Sequence, residues 1–301
     1  MMIDLPTPTE ELKHPLFEEK GVQVFVKRDD LTHPEIMGNK WRKLKYNLLE
    51  AKARDCKGIV TMGGAYSNHI AATAAACLES NLACIGIIRG EELSSSSNPT
   101  LKYASHKGMQ TVFVDRTTYR RYRERNDLIA DQYGDFYFLP EGGTNELAVK
   151  GCEEILHELE VAYDLIVTPI GTGGTFAGIL SGLKNAKKAL GVSSLKGDFI
   201  YREVKELLER FSISHEHYEI SNDYHFGGYG KTTLELIEFI NWFKEMFKIQ
   251  LDPIYTGKSF FCVFDMIKKA KFEKNLRIVL LHTGGLQGIE GFNRKNQNII
   301  Q

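Results

Sequence analysis

Asp164-Leu165-Ile166-Val167-Thr168-Pro169-Ile170 runs directly into Gly171-Thr172-Gly173-Gly174-Thr175-Phe176-Ala177-Gly178. The first seven residues form a nearly continuous apolar run, the pattern of a strand covered on both faces. The glycines permit a tight turn, and residues 175–189 carry a helical pattern. Strand, glycine turn and helix in that order make the repeating unit of a parallel sheet. The same alternation recurs outward in both directions. Residues 58–62, 83–88, 111–115 and 277–281 read as strands, and an apolar run occupies 22–26. Residues 67–78 (alanine-rich), 98–106 and 117–133 (long and polar) read as helices. The expected fold is therefore α/β, and ligands in such folds gather at the carboxyl ends of strands.

Three glycine-bearing loops sit at those ends. They are Gly63-Gly64-Ala65-Tyr66-Ser67-Asn68-His69, the 171–175 segment and His282-Thr283-Gly284-Gly285. In the second, converging backbone amides, a following helix N-terminus and the hydroxyls of Thr172 and Thr175 make a phosphate cup. It is neither a Walker loop nor a GxGxxG fingerprint in register, because no Gly-Lys-Ser/Thr ends it and Phe176 takes the last glycine position. In the first, Ser67 opens a helix, where it serves as an N-cap or leaves amides for a carboxylate. Lys40 lies in Met37-Gly38-Asn39-Lys40-Trp41-Arg42-Lys43-Leu44, between a glycine and a helical pattern, so its amine can reach a cleft. Tyr255, in Asp252-Pro253-Ile254-Tyr255-Thr256-Gly257-Lys258, and Tyr229, in Gly227-Gly228-Tyr229-Gly230, are packing anchors or acid–base groups.

Composition excludes several classes. The chain has 301 residues, 43% hydrophobic and 26% charged, with a formal net charge of −1. No global field recruits nucleic acid or an anionic membrane. Residues 1–30 hold no apolar run suited to a signal peptide and no stretch is long enough to span a bilayer, so a cytoplasmic chain is expected. Five cysteines without a CxxC pair argue against a disulfide framework or zinc site. His215-Glu216-His217 reads as a surface segment, not a metal site. The arginines between 116 and 125 read as a solvated helix face, and the aromatic 237–247 stretch as core or dimer interface.

These segments in order resemble the fold-type II pyridoxal phosphate (PLP) enzymes, with a tryptophan synthase β-like fold. Within them the chain is most similar to the family of D-cysteine desulfhydrase and 1-aminocyclopropane-1-carboxylate (ACC) deaminase. The likeness runs from Leu5-Pro6-Thr7-Pro8 through Val26-Lys27-Arg28-Asp29-Asp30, the Lys40 segment, Ser67-Asn68-His69, Pro140-Glu141-Gly142-Gly143-Thr144-Asn145 and 171–178 to 255–258 and 282–285. It implies two open, mostly parallel twisted-sheet domains, 45–137 and 1–44 plus 138–301, and a homodimer. It implies that Lys40 forms the Schiff base and moves the Cα proton. Asn68 would hold the 3′-oxygen, Gly171, Thr172, Gly173, Gly174 and Thr175 the phosphate, and Ser67, Asn68 and His69 the substrate carboxylate. Tyr229 and Tyr255 would face the reacting side chain of a small amino acid.

Thr256 and Thr283 stand where ACC deaminases carry glutamate and leucine and where D-cysteine desulfhydrases carry threonine. Thr283 is the first candidate for the pyridine nitrogen and Thr256 the second. The likeness thus implies a PLP-dependent lyase that converts D-cysteine to pyruvate, ammonia and hydrogen sulfide. ACC deamination is the alternative, and a PLP or nucleotide binder with little turnover a further one. Tyr66, Ala71 and Ala72 depart from the family pattern, and the chain is shorter than its relatives between 188 and 201.

Overall fold

The computed structural model describes residues 3–297 and 299–301. Ten strands and twelve helices follow one another as β1 (Thr9–Leu12), α1 (Pro15–Lys20), β2 (Gln23–Lys27), α2 (Asn39–Ala53), β3 (Gly58–Gly64), α3 (Asn68–Glu79), β4 (Ala83–Arg89), α4 (Pro99–His106), β5 (Met109–Val114), α5 (Arg116–Glu124), α6 (Asp127–Gln132), β6 (Phe136–Leu139), α7 (Glu146–His157), β7 (Leu165–Ile170), α8 (Gly174–Leu183), β8 (Lys188–Ser193), α9 (Phe199–Arg210), β9 (Tyr218–Ser221), α10 (Leu234–Phe247), α11 (Thr256–Lys268), β10 (Arg277–Leu281) and α12 (Gly288–Asn296). They build two sheets. One has six strands in the order β1-β2-β10-β7-β8-β9, the other four in the order β5-β4-β3-β6. Every pairing is parallel except β1 with β2.

Alternation along each strand divides the core between two faces. Leu165 and Val167 of β7 join α10 and α11 on one face, and Ile166 and Ile170 join α7 and α8 on the other. In the small sheet Ile59 faces α3 and α4, while Val60 and Met62 face Tyr119 and Ile129 of α5 and α6. Phe243 of α10 is buried, and the half-buried Phe239, Trp242 and Phe247 pack against the same core.

Two expectations need correction. The 117–133 helix is two helices, broken at Arg125 (φ −126°, ψ 75°), and Tyr119 and Ile129 of the two join one core cluster. The 175–189 helix stops at Leu183, because Lys184 and Asn185 turn left-handed and 188–193 joins β7 as a strand.

Candidate active site

The carboxyl ends of β3, β7 and β10 deliver the three glycine loops to one cleft. Lys40 enters from the first turn of α2. Gly38 precedes it with φ 64°, and a β-carbon there would stand 2.2 Å from the Thr283 carbonyl oxygen. Only glycine lets this turn rest on the 282–285 loop. The Lys40 amine donates to Asn39 Oδ1 at 3.0 Å, and Asn39 Nδ2 donates to Thr175 Oγ1 at 2.8 Å. One short chain of contacts thus couples the amine to the glycine cup. Burial, then the neighbouring Lys43 charge, lowers the Lys40 pKa to about 7, against weaker opposing effects of Cys152 and Asp252.

The cup is built by exclusion. A β-carbon on Gly174 would lie 2.6 Å from Thr144 Oγ1 and 2.8 Å from Lys43 Nζ. One on Gly171 would lie 2.9 Å from the Tyr255 ring. Gly173 has φ 79° and caps α8, whose first amides point into the loop. Lys43 Nζ donates to the Gly142 carbonyl at 2.9 Å and to Thr144 Oγ1 at 3.2 Å, and Thr144 meets the Thr172 hydroxyl at 3.1 Å. Lys43 therefore adds a cation to the cup, with its pKa lowered to about 8 by burial. Sequence reading missed Lys43 and Thr144. Three-residue spacing from Lys40 on one helix was the available signal for Lys43.

The other candidates separate. Ser67 caps α3, accepting from the Ile70 amide at 3.3 Å. The Asn68 amide group makes no hydrogen bond among the described residues and lies against Gly285 and Gly288. The His69 imidazole turns away from the Ser67 side chain toward β3. It is buried, its Nε2 is 2.8 Å from Thr61 Oγ1, and burial followed by the Lys40 and Lys43 charges keeps it neutral. The His69 backbone amide lies in the first turn of α3.

Thr256 is likewise spent: its hydroxyl donates to Asp252 Oδ2 at 2.7 Å and accepts from the Asp252 amide at 2.9 Å. Asp252 also receives the amides of Ile254, Tyr255 and Thr256. The Thr283 hydroxyl makes no hydrogen bond among the described residues. The Tyr229 and Tyr255 rings meet edge to face at 6.2 Å, and burial is the main reason both phenols titrate above their ordinary value. Lys258 holds the Tyr229 loop by donating to the His225 and Gly228 carbonyls, each at 2.8 Å.

An amine half deprotonated near pH 7, a glycine cup with a buried cation and an unsatisfied asparagine fit an aldehyde-bearing aromatic phosphate. The family model described as "Pyridoxal-phosphate dependent enzyme" matches residues 2–284. The chain belongs to this family. Its cofactor is PLP, and it is an enzyme of the lyase and deaminase branch.

The chain is 32% identical over 96% of its length to "Putative 1-aminocyclopropane-1-carboxylate deaminase" of Pyrococcus abyssi, covering 92% of that protein. It is 28% identical to a D-cysteine desulfhydrase of Klebsiella pneumoniae, with 94% and 93% of the two chains covered. Among solved structures it resembles an ACC deaminase homologue with a TM-score of 0.82 and 29% identity, over 99% of this chain and 95% of that one.

This PLP enzyme has no cluster of three or more His, Cys, Asp or Glu side chains suited to a metal among its described residues. His215 instead accepts from the Asn185 amide at 3.0 Å. No described helix is long and apolar enough to cross a membrane. Ala71 and Ala72 are buried, and the exposed Tyr66 ring packs on Gly291 of α12.

Proposed function

We propose that this enzyme is a β-elimination lyase acting on a small amino acid, D-cysteine first, with water, to give pyruvate, ammonia and hydrogen sulfide. The observation that carries the reading is the state of Thr256, Asp252 and Thr283. A carboxylate at the pyridine nitrogen would keep it protonated and make the stronger electron sink that opening a cyclopropane needs. Asp252 is committed to four donors and Thr256 to Asp252. Thr283 offers a free hydroxyl, which can donate to an unprotonated nitrogen. Expelling hydrosulfide from the β-carbon needs less of a sink.

When bound, PLP supplies an aldehyde that captures amines and a ring that accepts an electron pair from Cα. The remaining work falls to the chain. Lys40 anchors the cofactor and takes the Cα proton on Nζ. Residues 171–175 with Lys43 hold the phosphate, and Asn68 bonds the ring oxygen. Ser67 and the first amides of α3 orient the substrate carboxylate. Tyr255 and Tyr229 keep their protons at neutral pH and face the departing group.

ACC deamination is the second reading, favoured by the name of the Pyrococcus relative. The test is a visible spectrum of the purified protein before and after each substrate, with products assayed. Sulfide and pyruvate from D-cysteine support the first reading. A four-carbon 2-oxo acid from ACC, without sulfide from D-cysteine, supports the second. A yellow protein inert to both overturns both substrates and leaves the cofactor standing. A cytoplasmic homodimer completes the proposal, and light scattering at twice the chain mass tests the dimer.

A further inference from the structure

Arg89 ends β4 in register with Gly64, which ends β3. Residues in register project to the same face of a sheet. Because residue 64 has no side chain, the Arg89 guanidinium lies over the strand tip, with Nη2 3.7 Å from where a β-carbon would stand. The side chain is exposed and lies over the Tyr119 ring, at 5.6 Å. No ion pair or hydrogen bond engages it among the described residues. Its surroundings are otherwise satisfied. Glu141 accepts from the Tyr119 hydroxyl at 2.7 Å, and Arg123 is held by Glu141 at 3.6 Å and Glu203 at 3.1 Å. From the other sheet, Tyr229 comes within electrostatic reach of both Arg89 and Glu141.

Ser67 lies on the opposite side of β3. A β-carbon on Gly63 would stand 3.0 Å from Ser67 Oγ, and Gly63 and Gly64 face opposite ways. Two receivers for negative charge therefore flank one strand tip: the start of α3 and the Arg89 guanidinium. The second is on the side of Tyr229.

The geometry points to Arg89 as a specificity-determining residue that reads an anionic group on the side chain of the amino-acid substrate, a carboxylate, sulfonate or thiolate. This rests on the reading that the α-carboxylate sits at Ser67 and the α3 amides. A planar guanidinium suits such groups, and an uncharged cyclopropane gives it nothing to bind. Arg89 thus selects at the substituent on the β-carbon, where hydrosulfide would leave.

The test is a titration of the PLP-loaded enzyme with aspartate, asparagine, cysteate and serine, each as both enantiomers, read as the change in cofactor absorbance. Binding is read without turnover, so failure of the D-cysteine reading appears separately in the product assay. The wild type should bind aspartate over asparagine by roughly ten- to hundredfold in the preferred enantiomer. Arg89→Gln should remove that preference by weakening aspartate and cysteate alone, and Arg89→Lys should keep part of it. No preference in the wild type overturns the inference. So does an Arg89→Gln variant that weakens all four ligands equally, which would assign Arg89 to the α-carboxylate.

Discussion

Lys40 owes its chemistry to where it is buried. Its folded-state pKa of about 7 lies below the 10.5 of a free lysine. Between those values the unfolded chain holds a proton that the folded one has lost, so this group's contribution to apo-protein stability rises with pH across that window. Capture of PLP follows the same titration. Its rate in the apo-protein should reach half its plateau near pH 7, in stopped-flow absorbance, and vanish in Lys40→Ala. A half-rise near the ordinary lysine value would show the amine to be solvated. Gly38 is the second test at this scale. Gly38→Ala places a β-carbon 2.2 Å from the Thr283 oxygen at φ 64°. The expected cost is about 3 kcal/mol in urea unfolding, with reduced cofactor occupancy. An unchanged midpoint would mean that the two loops do not touch.

Elements set the loops that single residues cannot. α11 sends Lys258 under the 225–230 segment, where the buried ammonium donates to two carbonyls at 2.8 Å and a third, Ser194, at 3.4 Å. Its pKa falls to about 8, burial outweighing the Asp252 charge. Lys258→Met removes this shared donor, while the His225 and Gly228 carbonyls each keep one amide donor, at about 2 kcal/mol. Amide exchange at 226–230 should accelerate and the Michaelis constant rise, while cofactor affinity stays within about twofold because the cup is untouched. Unaltered exchange in that segment would remove Lys258 from its positioning role. The α5–α6 break at Arg125 leaves Tyr119 and Ile129 in the same core cluster.

Across the whole molecule, one buried charge network ties distant pieces to the turn that carries Lys40. Arg42 of α2 donates to Asp29 at 2.8 Å and to Glu158 at 2.8 Å, and Lys27 of β2 reaches Glu158 at 3.2 Å and the Thr7 carbonyl at 2.6 Å. Burial would raise the Glu158 pKa, but its hydrogen bonds and ion pair with Arg42 hold it at about 2, below the ordinary 4.5. The sign follows from a depressed carboxylate: its stabilisation is complete above the ordinary value and is lost as pH falls through about 2. Glu158→Gln should cost about 2 kcal/mol or more in urea unfolding at pH 7, and the gap should narrow toward pH 2. Parallel curves at both pH values would show the pair to be dispensable.

The sequence by itself determined the alternation of strands and helices, the three glycine loops at strand ends and the lysine among them. All are written in local periodicity and turn chemistry, which act over a few residues. Element ends were less legible, as the left-handed Lys184 and Asn185 show. Only the tertiary structure decided which donors remain free. Thr256 and Thr283 look alike in sequence, yet Asp252 takes one hydroxyl and leaves the other. His69 turned inward to Thr61, Lys43 joined the cup through Gly142, 99 residues away, and Arg42 met Glu158 across 116 residues. Such contacts depend on how two sheets bring remote segments together, and burial then sets the charge of each group it encloses.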